Sequence, residues 1–150
     1  MKLTSQIEFR ELRISDLQEI VAIENEHMQD PSICLRSSPN DIAKSLLSGM
    51  SFGALLNGNI IAYSLCYDNE YRLGFVEKCF VHPAYRGNGF QSSLLMMNMV
   101  SMRNRGIINA YAMASPSNAW SLRNFKIRGF DPVGEAQIQG YKRLILRNGN

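Results

Sequence analysis

The sequence predicts a mixed α/β (α+β) domain, with one mostly antiparallel sheet of about seven strands flanked by about four helices. Three observations predict it. Apolar residues fall at strand spacing in some stretches and at helical spacing in others, with turn residues between them. Their order along the chain is β α α β β β α β α β β, so antiparallel pairs come first and two β–α units then favour a parallel step in the middle. Over 150 residues the chain is 45% hydrophobic and 19% charged, enough apolar surface for a core without a disulfide or metal staple. No repeat, low-complexity tract or linker interrupts it, and residues 1–150 read as one domain.

Each element has its own signal. Residues 7–12 alternate apolar and polar, as a strand with one buried face does. Ser15 or Asp16 offers a helix cap, and Leu17, Ile20, Val21 and Ile23 follow at helical spacing to about Met28. Pro31 and the cluster Ser37-Ser38-Pro39-Asn40 break the chain. Asn40 or Asp41 then caps a short helix carrying Ile42, Leu46 and Leu47, closed by Gly49. Two apolar runs, 52–56 and 60–67, flank Asn57-Gly58-Asn59, a hairpin signal. A strand rich in aromatic and β-branched residues covers 72–82 and ends at Pro83. Residues 89–105 form a largely buried helix stopped by Gly106, in which methionine fills core space. A strand over 107–114, a helix over 118–128 ended by Gly129, and strands over 130–135 and 140–147 complete the chain.

Charge and cysteine content exclude several classes. A net charge of +3 is too weak to imply nucleic acid, though it suits an anionic small ligand where positive groups cluster. Residues 1–8 lack the apolar segment of a signal peptide, and no run of 18 apolar residues exists to span a membrane. Cys34, Cys66 and Cys79 are odd in number and form no CxxC pair. They read as reduced thiols of a cytoplasmic protein, with no metal site.

The informative stretch is 75–92, where a strand runs into a turn with Gly87 and Gly89 that opens the long helix. Such a turn aims several main-chain N–H groups one way, with the positive end of the helix dipole behind them, and so suits a phosphate or diphosphate. The glycines remove the Cβ that would hold a ligand off the backbone. An ordinary strand-to-helix connection has the same spacing. A P-loop is excluded because the Gly-Lys-Ser/Thr ending is missing, and the strand-rich first half fits a dinucleotide fingerprint poorly.

Residues 81–89, Val-His-Pro-Ala-Tyr-Arg-Gly-Asn-Gly, resemble motif A of the GNAT superfamily of N-acetyltransferases, which bind acetyl-CoA. Arg86 and Gly89 match its first two fixed positions, and Gln91 departs from the third. Residues 115–130 resemble motif B, with Asn118, Ser121 and the Gly129-Phe130 ending in place. Residues 9–17 resemble the family's first strand and helix cap. The resemblance implies that the two central parallel strands splay near Phe80 and Val81 and admit the pantetheine arm. It implies that Arg86, Gly87, Asn88, Gly89, Phe90, Gln91 and Ser92 hold the diphosphate, that Asn118 and Ser121 contact the pantetheine arm, and that Phe125 packs against the thioester. The implied reaction is direct acetyl transfer to a primary amine of a small molecule or protein.

That chemistry needs a base for the amine, whose reference pKa is about 10.4 for a lysine-like group. Glu77, in a central strand among apolar neighbours, is the candidate; a salt bridge to a nearby Arg or Lys is the competing role. A main-chain N–H of Phe80 or Val81 can stabilise the carbonyl oxygen. The motif B position that often carries a catalytic Tyr is Phe125, which leaves the acid role to water, Tyr111 or Tyr141, or leaves it unfilled. Cys79 lacks an adjacent base and reads as core rather than nucleophile. His82 reads as a loop-holding residue and His27 as a helix-surface one. Arg123, Lys126 and Arg128 form a solvated face or attract the cofactor's 3′-phosphate. Trp120 reads as packing. Glu24, Glu26 and Asp30 on the first helix read as solvated, with attraction of a cationic amine as the other possibility. With Phe125 and Gln91 departing from the pattern, a non-catalytic acyl-CoA-binding sensor or scaffold is the alternative function. The acceptor and the oligomeric state, a homodimer included, carry no sequence signature.

Overall fold

The computed structural model describes residues 6–149; residues 1–5, where the stretch read for a leader begins, and residue 150 lie outside it. Seven strands form one sheet in the order β1-β2-β3-β4-β5-β7-β6. They are β1 (Ile7–Glu11), β2 (Phe52–Leu56), β3 (Asn59–Asp68), β4 (Leu73–Val81), β5 (Asn109–Ala114), β6 (Asp131–Ile138) and β7 (Tyr141–Asn148). Every neighbouring pair is antiparallel except β4 and β5, which run parallel. Four helices flank the sheet: α1 (Leu17–His27), α2 (Pro39–Leu47), α3 (Phe90–Asn104) and α4 (Ala119–Ile127).

The local signals act much as the sequence indicates. Asn57 and Gly58 both take left-handed φ, 51° and 83°, the geometry a two-residue hairpin needs to match strand twist. Gly106 and Gly129, with φ of 78° and 87°, stop α3 and α4. Some boundaries move. The α2 cap is Ser38, whose Oγ accepts from the Asp41 N–H, with Pro39 at the first helical position, rather than Asn40 or Asp41. Asp16 precedes α1 without capping it. Its carboxylate instead accepts both guanidinium N–H groups of Arg10 at 2.9 Å and the Arg13 N–H at 2.8 Å, tying α1 to β1. Strand β6 runs on to Ile138, so residues 136–138, between the strands expected over 130–135 and 140–147, are paired, and only Gln139 and Gly140 make the turn.

Two apolar layers hold the helices. Under α1 and α2 lie Leu12, Ile20, Ile42, Tyr63, Leu65 and Phe80. Under α3 and α4 lie Leu95, Met102, Ile107, Phe125, Phe130 and Leu146. The methionines of α3 are core filler: Met102 is 1% exposed and sits where a Cβ on Gly74 would meet its sulfur. Among the described residues, no helix is long and apolar enough to cross a membrane.

Candidate active site

The parallel pair β4 and β5 is in register only from Leu73/Asn109 to Val76/Ala112, after which the two strands part. The cause lies on the other edge of β4. Cys66 pairs with Val76 and Leu65 with Lys78, so Glu77 is an extra residue, a β-bulge. A bulge bends and overtwists its strand, and here it turns the end of β4 away from β5. The parting therefore opens at Glu77, earlier than the Phe80 and Val81 implied by motif resemblance.

Past the bulge, β4 keeps one unpaired edge toward the gap. His82 N–H donates to the Ile61 carbonyl at 2.8 Å, and Phe80 lies opposite Tyr63. Main-chain groups alternate sides along an antiparallel ladder. The N–H and C=O of Cys79 and Val81 thus point into the gap, while those of Phe80 point at β3. The Phe80 side chain is core, stacked on Tyr63 at 5.3 Å. The Val81 side chain packs with Phe90 and Leu94.

The turn after β4 is held from within by side chains. His82 Nδ1 accepts from the Ala84 N–H, Asn88 Nδ2 donates to the Tyr85 carbonyl at 2.8 Å, and Arg86 Nε donates to the Val81 carbonyl. The Arg86 guanidinium also lies 5.8 Å from the Trp120 ring centroid. Gly87 and Gly89 take φ of 85° and 77°, and a Cβ at either would meet nothing within 4 Å, so both border open space. Among the described residues, no main-chain N–H of residues 86–92 donates a hydrogen bond, whereas the Ser93 N–H already closes onto Gly89. The result is a run of free amides at the start of a fifteen-residue helix, set for an anion.

The side chains of this segment divide. Phe90 is buried in the core against Phe9, and Ser92 Oγ accepts from Arg128 Nε at 2.8 Å. Arg128, expected on a solvated face, therefore pins α4 to the first turn of α3. Gln91 is 1% exposed; its Nε2 donates to Ser121 Oγ at 3.1 Å and its Oε1 accepts from Asn124. Gln91 thus bridges α3 to α4, and its side chain is turned into the protein rather than toward a ligand.

The gap contains a cavity of about 290 Å³, lined by Glu77, Cys79, Asn118, Ser121 and Phe125 among others. Four of the site residues expected from the sequence, Glu77 from β4 and Asn118, Ser121 and Phe125 from α4 and its cap, meet there. Asn118 caps α4 by accepting from the Ser121 N–H at 3.2 Å, which leaves its side-chain NH2 as a donor. Phe125 packs edge-on against Phe130 and offers no proton.

The Glu77 carboxylate accepts from Ser37 Oγ at 2.9 Å. The Ser37 N–H donates to Glu24 Oε1 at 2.7 Å, and Tyr63 Oη donates to Glu24 Oε2. One serine thus bridges two acidic side chains. Burial raises the pKa of both carboxyls; the Ser37 hydrogen bond and the Lys78 charge work against that rise at Glu77. Glu24, expected among solvated acids, is 1% exposed. Lys78, next to Glu77 in sequence, donates to the Leu35 carbonyl and to Cys34 Sγ, and among the described residues it forms no ion pair with Glu77. The bulge places Glu77 and Lys78 on the same face of β4. Burial also pushes the Cys79 thiol up to about 11, so it is neutral and no nucleophile.

Ser37 and Arg143 carry no site signal in the sequence, and Glu24 carries only the second reading, attraction of a cationic amine. Arg143 Nη1 donates to the Ser32 carbonyl at 3.0 Å and its Nη2 to that of Pro31, strapping the α1–α2 connection to β7 across the gap. An arginine next to the apolar run Leu144-Ile145-Leu146 is the local trace of that role. His27 is also less exposed than its helix position indicates, packing 5.1 Å from Phe80 and 5.2 Å from His82. Of the two tyrosines considered as acids, Tyr111 lines a groove that also includes Glu77, and Tyr141 stacks on the Arg143 guanidinium. Among the described residues, no group of three His, Cys, Asp or Glu side chains is placed to hold a metal ion.

The sheet, parted at its parallel step beside a free-amide helix start, and a family match over residues 15–130 together make the chain an acyltransferase. Residues 15–130 match the Acetyltransferase (GNAT) family, and the chain belongs to that family. It is similar in structure to the NatC complex bound to Gag peptide and CoA, with a TM-score of 0.83 at 15% identity over 97% of this chain and 99% of that one. It is similar to Arabidopsis thaliana Naa50 in complex with the bisubstrate analogue CoA-Ac-MVNAL, at 0.81 and 15% identity over the same shares. A third likeness is to the PaiA N-acetyltransferase of Thermoplasma acidophilum in complex with coenzyme A, at 0.74 and 15% identity, covering 96% of this chain and 99% of that one. No curated protein matches the chain in sequence.

Proposed function

We propose that this acyltransferase is an acetyl-CoA-dependent N-acetyltransferase that moves the acetyl group directly from the thioester to a primary amine, within one domain. The observation that carries the reading is the run of free amides at residues 86–92 beside a parted strand pair whose cavity holds Glu77. Family membership and CoA-bound structural relatives support it.

Each part of the site has a task. The amides of Arg86 to Ser92, with the dipole of α3 behind them, take the diphosphate. The gap-facing edge of β4 pairs with the pantetheine amides as a strand would, and Asn118 donates from the opposite side. The N–H groups of Cys79 and Val81 are the main-chain donors available to the thioester carbonyl oxygen, where negative charge develops. The amine nitrogen attacks that carbon. The C–N bond forms, the C–S bond breaks, and CoA leaves as a thiolate, a tolerable leaving group at a reference pKa of about 8.5. The proton lost by the amine goes to Glu77, whose burial raises its basicity. The side chains of Phe80, Phe90, Gln91 and Ser121 serve by packing, and their part in cofactor binding is indirect. The unpaired thiols Cys34, Cys66 and Cys79 agree with a reducing compartment such as the cytoplasm.

The test is release of CoA thiol from acetyl-CoA in the presence of a panel of primary amines. Turnover that depends on the amine, with stoichiometric acetyl-amide product, is expected. Tight CoA binding with no turnover for any amine would refute the catalytic reading and leave a binding module.

A further inference from the structure

The bulge that opens the gap has a second consequence on the sheet face that bears Glu77. Tyr67 lies opposite Phe75, and Phe75 lies opposite Tyr111, in three successive strands. Side chains in directly opposed positions share a face. The Tyr67 and Phe75 rings are 5.1 Å apart at an interplanar angle of 20°, and Phe75 and Tyr111 are 6.1 Å apart at 30°. Together they make a ladder of stacked rings across the three strands, a partly buried aromatic shelf with Met113 and Ile145 at one border. The groove above it holds about 200 Å³, and Glu77 and Met113 line both this groove and the cavity in the gap.

Resting on the transferase reading, we infer that this shelf binds the acceptor, and that the acceptor is a small primary monoamine carrying one aromatic ring on a short linker. An amine that gives its proton to Glu77 has its substituent over these rings, because Glu77 sits where groove and cavity meet. Three rings stacked from strand to strand turn their edges to the groove, and those edges attract the face of an incoming aromatic ring over a branched or charged group. The Lys44 ammonium lies 4.2 Å from the Tyr67 ring centroid, so the far end of the shelf is already positively charged and rejects a second amino group. The volume is below the roughly 300 Å³ at which pockets for drug-sized ligands begin, room for one ring and not for the chain behind a peptide's first residue. Residues 33–37, strapped across by Arg143 and Lys78, wall the cavity but not the groove, which leaves the groove as the acceptor's way in.

The test compares 2-phenylethylamine, n-butylamine, 1,4-diaminobutane and a short peptide with N-terminal Phe as acceptors at saturating acetyl-CoA. Phenylethylamine should exceed butylamine in kcat/KM by about tenfold or more. Tyr111→Ala should cut that ratio by about tenfold through KM, and Tyr111→Phe should restore it, since the ring and not the hydroxyl does the work. Lys44→Ala should raise kcat/KM for diaminobutane several-fold. Tyr111→Leu keeps apolar volume without a stack and should behave as the alanine variant does, and CoA affinity measured on each variant checks its fold. Equal rates for phenylethylamine and butylamine would overturn this inference and leave the transferase intact. A preference for the peptide would overturn the small-amine assignment. Failure of every amine despite CoA binding would overturn both this inference and the proposed function.

Discussion

Replacing Glu77 by Gln separates catalysis from stability, because the structure sets the two effects in opposite directions. The amide keeps an oxygen that can accept from Ser37 Oγ, now at 2.9 Å from the carboxylate, so the shape of the site is retained. What goes is the proton acceptor, and loss of a positioned general base lowers kcat by about 10²–10⁴-fold. The charge also goes. Burial is the largest influence on this carboxyl and raises its folded pKa above the ordinary 4.5. For an acid raised in the folded state, stability is fully present below 4.5 and is lost as pH rises toward and through the folded value, because the unfolded chain ionises first. At pH 7 the wild type carries that loss and the Gln variant does not, so Tm should hold or rise. Below pH 4.5 the two proteins should melt alike. The wild-type kcat/KM should fall as pH drops through a value above 4.5, and the variant should lack that limb. Thiol-release kinetics from pH 5 to 9 with parallel melting curves measure both effects. A variant within threefold of wild-type rate, with the same acid limb, would remove Glu77 as the base. A sharp drop in Tm at pH 7 would show that Lys78 outweighs desolvation.

Three more outcomes are expected. Gly89→Ala should cost about 1–2 kcal/mol of stability, because a residue with a Cβ is forced to φ of 77°, and it should weaken CoA binding by calorimetry as the amides turn. Since a Cβ there meets nothing within 4 Å, the effect is strain and not collision, and wild-type CoA affinity in the variant would count against the anion site. Asp16→Asn should cost about 1–2 kcal/mol in urea unfolding at pH 7, at the modest end because Arg10 is partly exposed. The Arg10 hydrogen bonds hold the Asp16 pKa below its ordinary 3.8, so this stability is present above 3.8 and disappears as pH falls through the folded value; a pH-independent difference would refute the ion-pair account. Cys79, with its thiol near 11, should resist iodoacetamide at pH 8 in the folded protein, and Cys79→Ala should keep amine-dependent turnover, whereas trapping of an acetylated Cys79 would contradict direct transfer.

Local rules made a good part of this protein legible from its residues. Asn57-Gly58 sets a hairpin because both positions must take positive φ, and Gly106 and Gly129 end helices for the same steric reason. The strand–Gly87–Gly89–helix sequence carries the anion site in the chain itself, since main-chain amides need only the right dihedral angles. Asn118, Ser121 and Phe125 follow because the spacing i, i+3, i+7 puts them on one helix face. The tertiary structure decided what depends on register and on distant partners. A period-2 pattern assigns faces but cannot say that Cys66 pairs with Val76 and Leu65 with Lys78, and that mismatch makes Glu77 a bulge and opens the gap. Gln91 looks like a ligand-facing position until α4 supplies Ser121 and Asn124 from 30 and 33 residues away. Glu24 looks solvated until Ser37 and Tyr63 close on it. The shelf of Tyr67, Phe75 and Tyr111 exists only because three strands align those rings. Backbone conformation is written in neighbouring residues, whereas burial, pairing and the strength of a base are written in contacts between residues far apart along the chain.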